Sequence, residues 1–427
     1  MDITTLFYRL HSLSIFRNLY DIPLVKAYQN TLDALVIPLK NDCTSDKVLR
    51  ICRFIDNYSA LCAETYAKEN NTDMLLSAIH FDENVLTKFL DEPRSEEFQR
   101  AVTYDIEVFN ALLTLSSSDL RSAANQIFLN MSADEQTRGI TLPLPNFQPS
   151  EPLPFHDFET LRDFYKKNGY GFFAQATAFA AQNDGTLAPV YQPDPITLQD
   201  LHGYQRQKKQ ILQNTLAFLE GQSANNILLY GDKGTGKSST VKAVVNAYAS
   251  RGLKIIELSP RHIKYFSQIF ETIKRAPFSF ILFLDDLSFS QEDENFIALK
   301  ALIEGGVAGQ PSNVLIYATS NRRHMIRESM SERQGDEVRV RDTLETVTSL
   351  FDRFGLEVVF SVPNKDEYLY IVEKLAEQSN IALPTDELYL LAERFALRRN
   401  GRSPRTAQQF IRQLCSDKYN DIVQSLL

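Results

Sequence analysis

Apolar positions change their spacing three times along the 427 residues. In the first stretch they recur every three to four residues. Val48, Ile51, Cys52, Ile55, Tyr58, Cys62 and Tyr66 make one such stripe. Phe98, Ala101, Val102, Ile106, Phe109, Leu112 and Leu113 make another. Stripes of this kind predict amphipathic helices that bury one face against each other. Residues 1–140 are therefore expected to form an all-helical domain. A cluster of prolines then breaks the pattern: Pro143, Pro145, Pro149, Pro152 and Pro154. Proline lacks the N–H that a helix interior needs and favours extended chain. Residues 141–195 read as a proline-rich linker with two short helices, 157–167 and 172–181. A second extended connector follows at Pro189, Pro193 and Pro195.

From residue 196 the pattern becomes apolar runs of strand length that alternate with helical stretches. The runs are 226–230, 253–258, 278–284, 314–318 and 356–360. The third is almost unbroken, as expected of a strand covered on both faces of a parallel sheet. Helices are expected at 205–219, directly after residue 236 and at 295–303. Residues 327–348 carry mixed charge without a period and read as an irregular excursion. The alternation predicts an α/β fold, a doubly wound and mostly parallel sheet, over residues 196–362. Helical spacing then returns. Tyr368, Ile371, Val372 and Leu375 share one face, and Leu388, Leu391, Ala392 and Phe395 another. Ser403-Pro404 is a helix start, with a capping hydroxyl and proline at the first position. Residues 363–427 are expected to form a helical lid.

Charge refines this division. The chain carries 45 Lys+Arg against 54 Asp+Glu, a formal charge of −9. Residues 1–140 hold 13 basic and 20 acidic side chains, so most of the excess lies in the helical domain. A general electrostatic grip on nucleic acid is not favoured by this balance. The four cysteines, Cys43, Cys52, Cys62 and Cys415, form no C-x-x-C pair, which argues against a zinc site and suits a reducing cytoplasm. The apolar runs are too short to span a membrane. The helical domain holds His11 and His80 without an acidic or thiol neighbour, so it offers no catalytic constellation.

The chemistry concentrates at residues 231–239: Gly231, Asp232, Lys233, Gly234, Thr235, Gly236, Lys237, Ser238 and Ser239. The order is strand, glycine loop, helix, and it satisfies G-x-x-x-x-G-K-[ST]. The three glycines let backbone N–H groups close on phosphate oxygens, and the helix N-terminus adds its dipole. Lys237 supplies a charge for the outer phosphates, and Ser238 a hydroxyl for Mg²⁺. The run 278–284 ends in Asp285-Asp286. Asp285 is placed to hold Mg²⁺, and Asp286 to orient or deprotonate an attacking water. Asn321 closes the next strand and is placed to bridge that water and a γ-phosphate; its ordinary role would be a turn residue. Arg322, Arg323 and His324 follow it, suited to phosphate, a neighbouring subunit or solvent. Arg353 precedes the last strand, either pairing locally with Asp352 or reaching another subunit's γ-phosphate. Arg405 opposes the dipole of its own helix, which makes sense beside an anion. Arg402 is the alternative for that role.

These residues resemble the ordered motifs of the AAA+ ATPases. Residues 231–238 are similar to Walker A, Asp285-Asp286 to Walker B, Asn321 to the first sensor, Arg353 to the arginine finger and Arg405 to the second sensor. Leu201-His202-Gly203 resembles the apolar-Gly motif that contacts adenine, which makes Gly203 a nucleotide-binding position. The resemblance covers about residues 196–420. The strings YGDKGTGKSSTVKA, FILFLDDLSF, LIYATSNRRH and DRFGL look most like a widespread bacterial AAA-type family of uncharacterised role. The Asp-Asp pair is also similar to the replication initiator and helicase-loader clade. Most AAA+ members have Asp-Glu there, so the shorter Asp286 implies slower turnover.

The resemblance implies a cytoplasmic ATPase with ATP and Mg²⁺ as cofactors and a homo-oligomer that shares its sites between subunits. An unidentified protein partner is expected at the N-terminal domain. Two alternatives stay open: an ATP-dependent switch or loader with negligible hydrolysis, and an initiator-like protein acting on DNA.

Overall fold

The computed structural model describes residues 2–37, 44–67, 70–90, 92–131, 144–287, 299, 303, 310–321, 353–399 and 401–417. They fall into two compact units, residues 1–175 and 176–427.

The first unit is helical. It contains α1 (Ile3–His11), α2 (Pro23–Val36), α3 (Thr44–Tyr66), α4 (Asn71–Phe81), α5 (Val85–Lys88), α6 (Glu96–Thr114), α7 (Ser117–Met131) and α8 (Phe158–Asn168). The stripe read on α6 is the buried one: Val102, Ile106, Phe109, Leu112 and Leu113 are all buried. The stripe read on α3 is shifted. Phe54, Tyr58, Leu61 and Cys62 are buried, whereas Val48 and Tyr66 are exposed, and so is Cys52. At the centre of α6, Asp105 has no exposed surface and accepts the backbone N–H groups of Ser14, Ile15 and Phe16. Burial pushes its carboxyl above the usual range, against the pull of those three donors.

The segment expected as a linker is divided between the units. Its first part packs into the helical core through Phe147, Leu153, Phe155, Phe158, Leu161 and Tyr165. Proline-rich chain cannot pair its own carbonyls, so side chains and neighbouring backbone do it. The Tyr58 hydroxyl donates to Pro145 O at 2.6 Å, and Leu153 N–H donates to Asn110 Oδ1 at 2.8 Å. The expected helix at 157–167 is α8, capped by Asp157.

The expected helix at 172–181 is corrected. Only Phe172–Ala174 is helical, as a 3₁₀ turn, and Ala178–Ala181 is a strand, β1. It turns through Asp184 and Gly185 into an antiparallel partner, β2 (Leu187–Val190). Gly185 has φ +84°, the left-handed geometry that an Asp-Gly turn supplies. Alanine-rich composition misleads here, because pairing with the sheet overrides local helix preference.

The rest of the sheet follows the alternation: β3 (Ile227–Gly231), β4 (Leu253–Leu258), β5 (Ser279–Leu284), β6 (Val314–Ser320) and β7 (Leu356–Phe360). The strand order is β2-β1-β4-β5-β6-β3-β7, and every pair but β1–β2 is parallel. Flanking it are α9 (Gln205–Leu219), α10 (Lys237–Tyr248) and α11 (Phe266–Ile273). Three helices, α12 (Lys365–Gln378), α13 (Thr385–Arg398) and α14 (Pro404–Asp417), close over a core of their own built on Tyr368, Val372, Ala392 and Phe410. The fold is thus the expected doubly wound α/β sheet with helical N- and C-terminal parts. Most of the expected helix at 295–303 and all of the excursion at 327–348 lie outside the described residues, as do Arg322, Arg323, His324 and Asp352.

Candidate nucleotide-binding site

The parallel register brings the C-terminal ends of four strands to one edge. Leu284 of β5 is level with Ala318 of β6, Tyr230 of β3 with Ser320, and Gly231 with Phe360 of β7. Residues one or two positions beyond those ends therefore meet, which is where ligands bind in such sheets.

The loop starts at Gly231, with φ +134°. A Cβ there would lie 2.1 Å from the backbone O of Phe360, so only glycine fits. Asp232 N–H donates to that same oxygen at 3.1 Å, and the Asp232 carboxylate accepts Val362 N–H at 3.1 Å. Gly234 and Gly236 also have positive φ, and Gly236 opens α10. Thr235 is buried, its hydroxyl donating to Asp232 O at 2.9 Å. Lys233 is exposed and Ser239 half-buried.

Lys237 is buried with its ammonium inside the loop. Nζ donates to Gly231 O and Asp232 O at 2.8 Å each, and to Asn321 Oδ1 at 3.0 Å. Burial lowers its pKa, while Asp232, Asp286 and Asp285 pull the other way. Asn321 in turn donates through Nδ2 to Asp286 Oδ1. Ser238 Oγ donates to Asp285 Oδ1 at 2.6 Å. Thr319 Oγ1 donates to the same oxygen at 2.6 Å. Lys237, Ser238, Asp285, Asp286 and Asn321 are thus brought into one bonded cluster.

Two neighbouring structures adjoin the loop. At the start of α14, Arg405 N–H donates to Gly234 O at 3.2 Å, and a Cβ on Gly234 would lie 3.2 Å from Arg405 Cβ. Ser403 caps this helix by accepting Thr406 N–H at 3.0 Å. Arg402 points elsewhere, making two bonds to Glu393 at 2.9 and 2.7 Å. Behind the loop lies a narrow cleft, walled by Leu201, His202, Gly203, Thr235, Ile371 and Pro404 among others. Gly203 has φ +80°, and a Cβ there would lie 3.2 Å from Ile371 Cδ1. Nε2 of His202 is buried with no hydrogen-bond partner among the described residues. Tyr204 follows with φ +54°, held by its hydroxyl bond to Ser361 O at 2.7 Å.

Arg353 is not part of this cluster. It is exposed and sits before the N-terminal end of β7, whereas the loop meets Phe360 at the other end. At about 3.3 Å per residue the two are separated by the length of the strand.

The residues fit a magnesium nucleotide. The left-handed glycines and the forbidden Cβ at Gly231 leave backbone close to where a phosphate would lie. The Ser238 hydroxyl and Asp285 carboxylate are hard oxygen donors of the kind Mg²⁺ takes. Among the described residues no group of three or more His, Cys, Asp or Glu side chains could hold a metal by itself.

Thr319 joins the cluster without being one of the expected site residues. Its signal was positional: it lies directly after Ala318, which pairs with Leu284, and so stands level with Asp285.

Among the described residues no helix is long and apolar enough to cross a membrane. No curated protein matches the chain. Among solved structures it is similar to the Thermotoga maritima RuvB Holliday junction branch migration motor, with 16% identity and a TM-score of 0.38, over 53% of this chain and 66% of that one. A point variant of the same protein matches with 15% identity and a TM-score of 0.38, over 53% and 67%. The chain thus spans about two thirds of RuvB or slightly less. Residues 174–418, more than half of the sequence, match the family described as "protein of unknown function (DUF815)", and the chain belongs to that family.

Proposed function

We propose that the chain is an AAA+ ATPase that binds Mg-ATP and hydrolyses it to drive assembly or conformational change on a protein partner. The observation that carries this is the bonded cluster of Lys237, Asn321, Asp286, Asp285 and Ser238 at the ends of β3, β5 and β6. When bound, Mg-ATP supplies the scissile anhydride and a cation that offsets charge on the phosphate oxygens. The protein does the rest. N–H groups of 232–238 and the Lys237 ammonium bind the phosphates. Ser238 and Asp285 hold the metal, and Asp286 takes up a proton from the attacking water with Asn321 fixing its carboxylate. Arg405, against Gly234, carries the lid's charge to the phosphates. The cleft at His202 and Gly203 receives the base. Arg353, a strand's length from its own loop, serves the site of a second copy, so the working form is a homo-oligomer. The acidic helical unit meets the partner.

The test is phosphate release by the full chain, alone and at rising protein concentration, against Lys237→Ala. Release that tracks the intact loop and rises with assembly is the expected result. ATP binding without release above the variant rejects the enzyme. That outcome would favour a nucleotide-dependent switch, a second reading motivated by Asp286 being tied to Asn321 rather than free to meet water.

A further inference from the structure

Thr319 lies two residues before Asn321 and is not one of the expected site residues, yet its hydroxyl bonds to both acidic residues of the pair. Thr319 is 2% exposed. Its one proton goes to Asp285 Oδ1 at 2.6 Å, and its oxygen receives the backbone N–H of Asp286 at 2.8 Å. The backbone continues the clamp: Thr319 O accepts Leu287 N–H at 2.7 Å, and Ser320 Oγ donates to Leu287 O at 3.0 Å. All three residues of the turn after β5 are therefore bonded to the end of β6.

The turn needs such a clamp. Asp286 has φ +54°, in the left-handed region, one of three non-glycine residues there among those described. Few non-glycine residues adopt that region, and although Asp enters it more readily than most, here the bonds to β6 hold it there. That backbone geometry separates the two acids. Asp285 turns toward Ser238, while Asp286 turns toward Asn321. An ordinary extended residue at 286 would send its carboxylate elsewhere. With both of its bonds made, the Thr319 hydroxyl has a single rotor position, so it sets the turn and the Asp285 carboxylate together.

We propose that Thr319 is a positioning residue. Its hydroxyl holds Asp286 in the left-handed conformation and aims Asp285 at the metal, so that the metal-binding and the water-handling acids act at a fixed separation. This rests on the ATPase reading. The competing explanation is that Thr319 merely fills the sheet edge. Valine has the same shape without the hydroxyl, and serine has the hydroxyl without the methyl, so the pair separates the two.

The experiment compares full-length wild type, Thr319→Val and Thr319→Ser in three measurements. These are fluorescent ATP-analogue affinity in EDTA, Mn²⁺ affinity of the ADP-bound chain by electron paramagnetic resonance, and steady-state phosphate release. Thr319→Val is expected to bind the analogue in EDTA within about twofold of wild type, because the loop is intact. Its Mn²⁺ affinity should fall roughly tenfold and its kcat roughly 100-fold, with KM little changed, as for misplaced catalytic groups. Thr319→Ser should restore both to within about threefold. A valine variant with wild-type kcat and Mn²⁺ affinity overturns the proposal, and so does a serine variant as impaired as valine. If valine does not fold, Thr319→Cys replaces it. That variant keeps only a weak donor, so it should show a reduced kcat, and wild-type turnover from it overturns the proposal equally. Absence of turnover in the wild type itself would reject the ATPase reading, and the Mn²⁺ comparison would still decide the role of Thr319.

Discussion

Lys237 Nζ donates to Asn321 Oδ1 at 3.0 Å, and the same amide donates through Nδ2 to Asp286. One side chain therefore joins the loop ammonium, proposed to bind phosphate, to the acid expected to handle water. Asn321→Ala removes the link but leaves Lys237 its two backbone carbonyls in the loop. ATP affinity is expected to stay within a few-fold, while turnover falls by roughly 100-fold, the effect of losing one oriented polar group at a reacting centre. Equilibrium binding and single-turnover phosphate release on the same preparation check this. An equal loss in both would mean that Asn321 serves the loop and not the chemistry.

Gly231→Ala meets a harder constraint. The added Cβ would sit 2.1 Å from Phe360 O, a backbone atom fixed by the β3–β7 ladder. The loop must shift, at about 4 kcal/mol or more, as for other severe clashes in a packed element. Nucleotide binding should be lost, and hydrogen exchange of the β3 amides should quicken. Gly221→Ala is the control. It has φ +69° but nothing within 4 Å of its new Cβ, so only the left-handed penalty of about 1–2 kcal/mol applies. Wild-type ATP affinity in Gly231→Ala would contradict the close approach.

The two candidate lid arginines separate by their partners. Arg402 is engaged by Glu393, whose carboxyl it holds below the usual range, and this joins the start of α14 to α13. Arg405 is exposed, with its backbone against Gly234. Arg402→Ala is expected to lower the thermal midpoint by a few degrees with little change in ATP affinity. Arg405→Ala should leave the midpoint unchanged and weaken ATP more than ADP. The reverse pattern would move the lid's nucleotide contact to Arg402.

His202 gives a test of the base. Its buried Nε2 lacks a partner among the described residues, and the cleft that His202 lines has Leu201, Thr235, Ile371 and Pro404 among its walls. A polar atom left so is disfavoured, and a base edge would satisfy it. His202→Leu is expected to erode the preference for ATP over GTP by roughly tenfold, the worth of one buried hydrogen bond. Competition binding with the two triphosphates reads it. An unchanged ratio would remove His202 from base selection.

The sequence exposed much of this because two signals were local. A glycine loop needs particular residues at particular spacing, and β5, buried along nearly its whole length, reads as an unbroken apolar run. What it hid was set by pairing. Ala178–Ala181 looks helical by composition and becomes a strand only because β4 lies beside it. The buried face of α3 differs from the expected one because apolar residues at one helical spacing also fit a neighbouring face, and only the packing partner selects between them. The place of Thr319 beside Asp285 depends on the register of β5 against β6, which no single strand encodes.

Lys254 carries the last prediction, one of pH. It lies on β4 and is 7% exposed, with Nζ donating to Ala176 O at 2.9 Å and lying 4.4 Å from the Phe278 ring centre. Burial lowers its pKa from 10.5 to about 8. Below pH 8 both folded and unfolded chains hold the proton, and the folded chain bears the penalty of the buried charge in full. Between about 8 and 10.5 the folded chain releases the proton while the unfolded chain keeps it, so stability from this group rises with pH. Lys254→Met has no such term, and methionine fits a buried site of similar length. The stability difference between wild type and Lys254→Met should therefore shift in favour of wild type by a few kcal/mol from pH 8 to pH 10.5. Urea titrations of both proteins, followed by exchange protection of the β4 amides, measure it, and the comparison cancels tyrosine and cysteine titrations common to both. A difference that stays flat across this window would show that the ammonium stays charged when buried, held by the Ala176 carbonyl and the Phe278 ring.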